Sequence, residues 1–405
     1  MRFSGRAPGK HAVTFVFVTV FLDMVGFGLI MPVLPKLIEI VGGTDLAGAS
    51  ILAGWLFLAY GGMQFLFGPL IGNLSDALGR RPVLLLSVAG LFVDYMLMAL
   101  APTMVWLFIG RILSGLCGAS YSTANAYLAD ITAPDDRAKA FGKMGAAFGL
   151  GFIIGPAIGG LLGTFGPRVP FFVAAGVAAL NVVYGYLVLP ETLPPEKRRA
   201  FSLARSNPIG SLMVFARYRG VLPMCAVMFL YFFATSVYPA IWAFWGIAKF
   251  GWSEATIGLT LAAFGLITAI VQGALTGPTV TWLGERKTAV LGLMSAAVAA
   301  IGYGLAPSFT VVMILLLIHA PEGFVHPALT ALMSSEAPAD AQGELQGGIA
   351  SLQSIAMVLG SVMFAQIFGY FLQPSAPFQS PDVGYFLCGA LIVLSLAGFL
   401  GRSRR

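Results

Sequence analysis

The sequence predicts an all-α polytopic membrane protein whose twelve transmembrane helices form two six-helix bundles. Apolar residues make up 58% of the chain and charged residues only 10%, with a mean hydropathy of +0.88. Soluble domains are only about half apolar. Twelve apolar windows each reach the roughly 20 residues that a helix needs to cross a bilayer. One hydrophilic segment divides these windows six and six.

The twelve windows give the positions of the predicted spans. The first is too long and too rich in proline for a removable signal peptide, so we expect the N-terminus to be retained. The first bundle contains windows 13–38, 48–74, 82–101, 104–129, 139–163 and 169–189, and the second contains windows 220–248, 255–282, 288–305, 308–333, 344–372 and 383–401.

Positive charge is distributed unequally between the two ends of the spans. Lys and Arg close to membrane ends accumulate on the cytoplasmic side, so the richer side predicts cytoplasmic N- and C-termini. The net charge of +6 is then explained by contact with anionic lipid, without a nucleic-acid partner. The richer side carries Arg2, Arg6, Lys10, Arg80, Arg81, Arg137, Lys139, Lys143, six residues in 191–219, Arg286, Lys287, Arg402, Arg404 and Arg405, and the other side carries Lys36, Arg168 and Lys249.

The longest hydrophilic segment, ETLPPEKRRAFSLARSNPIG, follows the sixth window. We interpret 1–190 as an N-terminal bundle, 191–218 as a cytoplasmic linker and 219–405 as a C-terminal bundle. Internal repeats support the division, because parallel repeated halves are a known transporter plan. The repeats pair GP at 68–69 and LGRR at 78–81 with GP at 277–278 and LGER at 283–286, and PDDRAKAFG at 134–142 with PADAQGELQG at 338–347.

The chain lacks the patterns expected of a membrane-embedded enzyme or receptor. It contains no His-Glu-x-x-His, no Cys-x-x-Cys and no long loop. Cys117, Cys225 and Cys388 all fall inside apolar windows, so neither a disulfide nor a metal cage is predicted. We therefore expect a transporter without a cofactor.

Three motifs resemble those of the major facilitator superfamily. The turn GNLSDALGRR at 72–81 resembles its signature loop between helices two and three, and Arg111 with Gly115 resembles its helix-four arginine motif. The glycines and proline of 151–160 resemble the helix-five motif typical of its antiporters. Glycine at this spacing permits close helix contact and proline weakens one turn, so Gly155 and Pro156 suit either packing or gating.

The tetracycline efflux pumps resemble the chain over nearly its whole length. Members of that family exchange a drug, usually bound with a divalent cation, for a proton. The resemblance implies a monomer in the bacterial inner membrane, membrane roles for Asp23, Gln64, Asp94 and Arg111, and gating roles for Asp76 and Arg80. The similar segments are DMVGFGLIMPVLP (23–35), SDALGRRPVLLLS (75–87), DYML (94–97), GRILSG (110–115), FGLGFIIGP (148–156), PALTALMS (327–334) and GELQG (343–347).

Ionisable residues inside the spans support these roles independently of the resemblance. An ionisable group at the centre of a membrane helix costs roughly 2.5 to 3.5 kcal/mol on insertion scales. Arg111 facing Asp23 and Asp94 in a cavity would hold them ionised until a proton or a cationic substrate competes. The alternatives are a static buried ion pair and, for Asp23, a position near the surface.

The charged turn at 72–81 has two interpretations. It is either a solvated topological anchor or a cytoplasmic latch. In the latch, Arg80 pairs with Asp130, and Asp76 faces the positive N-terminal dipole of the eleventh helix.

The C-terminal half departs from the tetracycline pattern. Thr268 stands where those pumps carry a histidine in helix eight, and Ala296 where they carry an aspartate in helix nine. The tenth window instead carries Glu322 and His326 four residues apart, on one face of a helix, with His319 one turn earlier. We predict that Glu322 and His326 handle protons near neutral pH. The alternative is that Glu322 pairs structurally and His326 caps backbone freed by Pro327.

Aromatic residues of the second half, such as Trp242, Phe244, Trp245 and Phe264, line an apolar drug pocket or face lipid. The function predicted from all these observations is proton-coupled efflux of a drug-like small molecule, with a tetracycline-type substrate favoured. The alternative is a related carrier of a sugar, amino acid or amphiphile with weak or no proton coupling.

Overall fold

The computed structural model describes residues 10–118, 120–133, 136–202, 207, 210–218, 220–338 and 341–401. Parts of the predicted linker and of the PDDRAKAFG and PADAQGELQG repeats lie outside these ranges. So do the positive charges Arg2, Arg6, Arg205, Arg219, Arg402, Arg404 and Arg405.

The first half of the chain forms eight helices. The first window is a bent pair, because α1 and α2 meet at 56° across a turn at 31–33. Pro32 and Pro35 cannot donate backbone hydrogen bonds, which explains the break. The helices are α1 (Lys10–Ile30), α2 (Leu34–Gly42), α3 (Leu46–Leu78), α4 (Arg80–Leu100), α5 (Met104–Cys117), α6 (Ser120–Ile131), α7 (Arg137–Gly163) and α8 (Val169–Val188).

The second half contains ten helices and two irregular turns inside spans. A π-helical turn, Val271–Leu275, interrupts the eighth span, and a 3₁₀ turn, Ala320–Phe324, interrupts the tenth. The helices are α9 (Val214–Arg217), α10 (Leu222–Thr235), α11 (Val237–Phe250), α12 (Glu254–Ile270), α13 (Thr276–Leu283), α14 (Glu285–Leu305), α15 (Phe309–His319), α16 (Val325–Ser334), α17 (Gln342–Leu372) and α18 (Val383–Gly401).

The predicted all-α polytopic fold is confirmed. Among the described residues, ten continuous helical segments are long and apolar enough to cross a membrane, and the bent pair α1 and α2 makes eleven. The shorter apolar helix α5 and the following α6 lie in the fourth window, so each of the twelve predicted windows contains a described helix. No strand occurs in the residues that the structure describes.

Contacts group the chain into two compact units. The first comprises the described residues of 1–37 and 59–208, and the second those of 38–58 and 209–401. In the first, α1 packs against α7 and α8, and Thr19 donates a buried 3.2 Å hydrogen bond to Asn181. In the second, α18 packs against α10 and α14 around aromatic side chains that include Trp245 and Tyr385. The predicted boundaries at 190 and 219 stay a prediction.

Candidate functional site

Asp94 of α4 and Arg111 of α5 form an ion pair inside the first unit. The Asp94 side chain is completely buried, and only 11% of the Arg111 side chain is exposed. Gly110 permits this approach, because a Cβ there would lie 2.8 Å from Asp94 Oδ1. Asp94 Oδ1 and Arg111 Nε have no hydrogen-bond partner among the described residues. Asp94 and Arg111 therefore form a buried ion pair in which one oxygen and one nitrogen remain without a hydrogen-bond partner among the described residues.

Gln64 of α3 lies beside this pair. Its Nε2 donates a 3.2 Å hydrogen bond to the carbonyl of Gly118, at the end of α5. Gly115 lets α5 approach α3 closely, since a Cβ there would lie 2.7 Å from Met63 Cβ and closer still to the Tyr60 carbonyl. Glycine in the Arg111–Gly115 motif thus brings the arginine helix against the glutamine helix.

Tyr60 lies near all four residues that were predicted to have membrane roles, Asp23, Gln64, Asp94 and Arg111. The Arg111 guanidinium carbon lies 5.8 Å from the centre of the Tyr60 ring. Asp23 of α1, which is half-buried, is within electrostatic range of the Tyr60 hydroxyl, as are Asp94 and Arg111. Sequence reasoning missed Tyr60, because a lone tyrosine in an apolar window carries no pattern.

The signature turn forms a compact ionic cluster. Arg80 Nη1 lies 2.5 Å from Asp76 Oδ1, and it donates a 2.6 Å hydrogen bond to Ser75 Oγ. Arg80 Nε lies 3.1 Å from Asp130 Oδ2, which is the contact that the sequence predicted. Gly79 has a φ of 110°, a conformation that side-chain-bearing residues rarely adopt. The predicted contact of Asp76 with the eleventh helix stays a prediction.

Glu191, at the start of the linker, is a residue of this cluster that sequence reasoning missed. Its Oε1 accepts hydrogen bonds from the backbone N–H groups of Arg80, Thr192 and Leu193, at 2.9, 3.0 and 3.0 Å. Its Oε2 accepts a 3.3 Å hydrogen bond from the Arg81 N–H. The carboxylate thus occupies the N-terminus of α4, where unpaired N–H groups and the helix dipole favour negative charge.

The following linker residues also contact the signature turn. The Arg199 N–H donates a 3.1 Å hydrogen bond to the Asp76 carbonyl, and Asn73 Nδ2 donates one of 2.6 Å to the Ser202 carbonyl. These hydrogen bonds therefore attach the linker, up to Ser202, to the signature turn. The only sequence signal for this attachment was one acidic residue, Glu191, at the start of a basic segment.

Glycines of α7 form a packing surface against α1. A Cβ at Gly151 or Gly155 would lie 2.6 or 2.7 Å from a backbone carbonyl of α1. At Gly159 a Cβ would lie 2.7 Å from Leu29 Cα. Pro156 Cδ likewise lies against Gly28 of α1. The packing role of this motif is thus visible, and the gating role of Gly155 and Pro156 stays a prediction.

The tenth span does not show the predicted pairing of Glu322 with His326. The sequence predicted one continuous helix, but Glu322 lies in the 3₁₀ turn Ala320–Phe324. Tyr231 Oη donates a hydrogen bond to Glu322 Oε1, and the half-buried His326 ring packs 5.5 Å from the Phe232 ring. No ion pair joins Glu322 and His326 in the part of the chain that the structure describes. Their role with protons stays a prediction.

Trp242 and Phe264 line one small cavity of the second unit, together with Tyr238, Leu261, Tyr303, Leu316 and His319. Trp242 Nε1 donates a 2.9 Å hydrogen bond to Thr260 Oγ1. Phe244 instead packs against Phe368, 6.3 Å between ring centres, so it belongs to the core. Substrate contact by Trp242 and Phe264 stays a prediction.

Metal-ligating residues do not cluster in the described ranges, where no three His, Cys, Asp or Glu side chains are placed to hold an ion. The three cysteines are free thiols.

Twelve helix-filled windows with an ion pair buried inside one unit define a multi-pass membrane protein with a polar site among its spans. Such sites belong to transporters and channels rather than to the soluble enzyme classes.

The family model of the Major Facilitator Superfamily matches residues 16–361, and the chain belongs to that superfamily. It is therefore a transporter and not an enzyme.

Curated relatives are similar over most of the chain. The class C tetracycline resistance protein of Escherichia coli is 38% identical over 362 residues, covering 89% of this chain and 90% of that protein. The class G protein of Vibrio anguillarum is 38% identical over 360 residues, covering 89% and 91%. The resemblance to the tetracycline efflux family is thus confirmed.

Solved structures of transporters share the fold. The human organic anion transporter MFSD10 is 24% identical with a TM-score of 0.71, covering 97% of this chain and all of that chain. The nucleoside transporter NupG is 12% identical with a TM-score of 0.77, covering 97% and 99%.

Proposed function

We propose that this transporter exports a drug-like small molecule, most closely of the tetracycline type, in exchange for protons across the bacterial inner membrane. The supporting observation is the buried Asp94–Arg111 pair, with Asp23 and Gln64 grouped around the same tyrosine, in a chain 38% identical to tetracycline resistance proteins. We propose that the protein is a monomer. We also propose that both termini are cytoplasmic, because the distribution of positive charges favours that orientation.

The exchange follows from competition for Asp94. While Arg111 is paired with it, the carboxylate stays ionised and the charges neutralise each other. A proton that binds Asp94 frees Arg111, whereas a cationic substrate competes with Arg111 for the carboxylates of Asp94 and Asp23. A tetracycline carried as a divalent-cation complex has the positive charge for this role, and the amide of Gln64 offers it a hydrogen bond. Proton and drug then occupy the site alternately.

Opening toward the cytoplasm is proposed to depend on the signature turn. Arg80, held by Asp76 and Asp130, favours the state that is closed to the cytoplasm, while Gly155 and Pro156 let α7 bend. In the second half, Glu322 and His326 are proposed proton sites, and Trp242 and Phe264 proposed substrate contacts.

A second candidate is a related carrier of another small solute with weak or no proton coupling. Two residues favour it. Thr268 and Ala296 replace the histidine and aspartate that the tetracycline pattern places in helices eight and nine, and neither replacement can titrate near neutral pH.

Uptake of tetracycline with Mg²⁺ into inverted membrane vesicles tests the proposal. A proton gradient should drive accumulation by the wild type, and Asp94→Asn should abolish it while leaving the protein folded, because the amide keeps the shape but cannot titrate. Asp136→Asn, an exposed aspartate before α7, is the matched control and should transport normally. Wild-type accumulation by Asp94→Asn would exclude Asp94 from coupling. Resistance profiling in an efflux-deficient bacterium identifies the drug if tetracycline is not carried.

A further inference from the structure

Besides His326, the tenth span carries two ionisable side chains that the first-half site does not use. His319 ends α15 and is 1% exposed, and Glu322 lies three residues later in the 3₁₀ turn. Ionisable groups inside a span are costly and normally functional. Their surroundings indicate what these two can bind.

Aromatic rings surround His319. Its Nδ1 lies 3.3 Å from Tyr303 Oη, and its ring centre lies 4.8 Å from that of Tyr238 and 5.4 Å from that of Phe264. The second ring nitrogen, Nε2, is buried and has no hydrogen-bond partner among the described residues. Because the ring borders the small cavity lined by Trp242, this nitrogen has a free lone pair or N–H in a protected position.

Glu322 is held on the same side of the span. Glu322 follows His319 by three residues, and side chains at that spacing on a helical backbone lie on one face. The carboxylate is also within electrostatic range of the hydroxyls of Tyr238 and Tyr303, the two tyrosines beside His319. The two tyrosines beside His319 thus connect it with Glu322, whereas the His326 ring packs against Phe232.

The seventh span supplies one tyrosine to each group. Tyr231 Oη donates to Glu322, while the Tyr238 ring lies against His319. The two tyrosines are seven residues apart, which is about two helical turns. Spans seven and ten therefore meet along a seam of two pairs, Tyr238 with His319 and Tyr231 with Glu322.

Few other titratable groups face this seam. The eighth span contains none between 255 and 283, and the ninth contributes Tyr303. The twelfth contributes Tyr385 and Cys388, and the eleventh contributes none between 345 and 369. No lysine or arginine pairs with Glu322 in the described residues. A proton is then the cation best able to neutralise this carboxylate.

We infer that His319 and Glu322 form one proton-binding pair in the second half of the transporter, with Tyr231 and Tyr238 as positioning residues. A hydronium ion gives its proton to a Glu322 oxygen or to His319 Nε2, forming one O–H or N–H bond and leaving water. Release reverses the step. The inference rests on the proposed proton exchange and names a site that supports it.

A measurement without substrate tests the pair directly. Infrared difference spectra of the purified full-length protein, stepped between about pH 5 and pH 8 where histidine titrates, should contain a protonated-carboxyl band that Glu322→Gln removes. His319→Gln should shift the pH midpoint of this band, because coupled groups titrate as a pair. Glu336→Gln, an exposed glutamate just after the same span, is the control and should leave it unchanged. An absent band, or a midpoint that His319→Gln does not move, would overturn the inference.

Transport separates this inference from the proposed function. With tetracycline and Mg²⁺ in inverted vesicles, His319→Gln and Glu322→Gln should each lower proton-driven accumulation at least tenfold while keeping energy-independent exchange. The double variant should be no worse than either single one, and Glu336→Gln should accumulate normally. Full accumulation by both single variants would refute the pair. A wild type that fails to accumulate tetracycline would refute the proposed function alone, and the infrared titration would still decide the pair.

Discussion

Gly159→Ala tests whether the glycines of α7 serve packing. The new Cβ would lie 2.7 Å from Leu29 Cα and 2.8 Å from Leu29 C, and closer still to its carbonyl oxygen. All three are backbone atoms, so α1 must move. Overpacking of this kind typically costs about 1–3 kcal/mol. Alanine also gains about 1 kcal/mol of helix propensity over glycine, which offsets part of the loss.

Gly145→Ala is the control that isolates the packing cost. It lies on the same helix, is exposed, and would place its Cβ with nothing within 4 Å. Because both variants gain the same helix propensity, their difference in the free energy of unfolding should be about 1–3 kcal/mol. Denaturant titration of the purified protein in mixed micelles measures it. Equal stability of the two variants would refute the packing role, and slower transport by an equally stable Gly159→Ala would assign the motif to gating.

Three further substitutions probe the signature turn, the linker and the Lys249 contacts of the second unit. Arg80→Ala should raise labelling of single cysteines on the proposed cytoplasmic face and slow transport about tenfold, which corresponds to about 1.4 kcal/mol. Unchanged labelling together with normal transport would indicate that the turn is only a topological anchor. Glu191→Gln should speed trypsin cleavage in the linker about tenfold, because it loses charge-assisted hydrogen bonds; the exposed Glu196→Gln should not, and equal rates in both would exclude the contact. Lys249→Met should lower the free energy of unfolding by about 1–3 kcal/mol, because the Lys249 ammonium binds two carbonyls at the end of α14 and the Asp382 carboxylate. Lys143→Met, at an exposed lysine, should not lower it. A difference under about 0.5 kcal/mol between the two variants would count against a stabilising role of the Lys249 contacts.

Sequence reasoning predicted the spans because lipid demands long apolar helices, and composition alone records that demand. It did not predict where a span is interrupted. The bend after Ile30, the π turn at Val271 and the 3₁₀ turn before Val325 all lie in runs long and apolar enough for an uninterrupted membrane helix. These breaks depend on how neighbouring spans fill the space around Pro and Gly.

The contacts of the candidate site were also only partly predictable from the sequence. Arg80 with Asp130 was predictable, since opposite charges at the ends of neighbouring spans can pair, and this contact is present. Glu191 was not, because its partners are backbone N–H groups that every sequence contains. The pairing of Glu322 with His326 stays a prediction. Glu322 accepts a hydrogen bond from Tyr231 and His326 packs against Phe232, and residue spacing along one span reveals neither contact.

The attachment of the linker to the signature turn decides how the chain can be divided. A gene split after Ser202 would leave Glu191 and Arg199 in the first fragment, where their hydrogen bonds to the turn remain intramolecular. A gene split before Glu191 would place the carboxylate that caps α4 on a separate molecule. Two co-expressed fragments should therefore reassemble from the first break more readily than from the second, although the breaks are only a dozen residues apart.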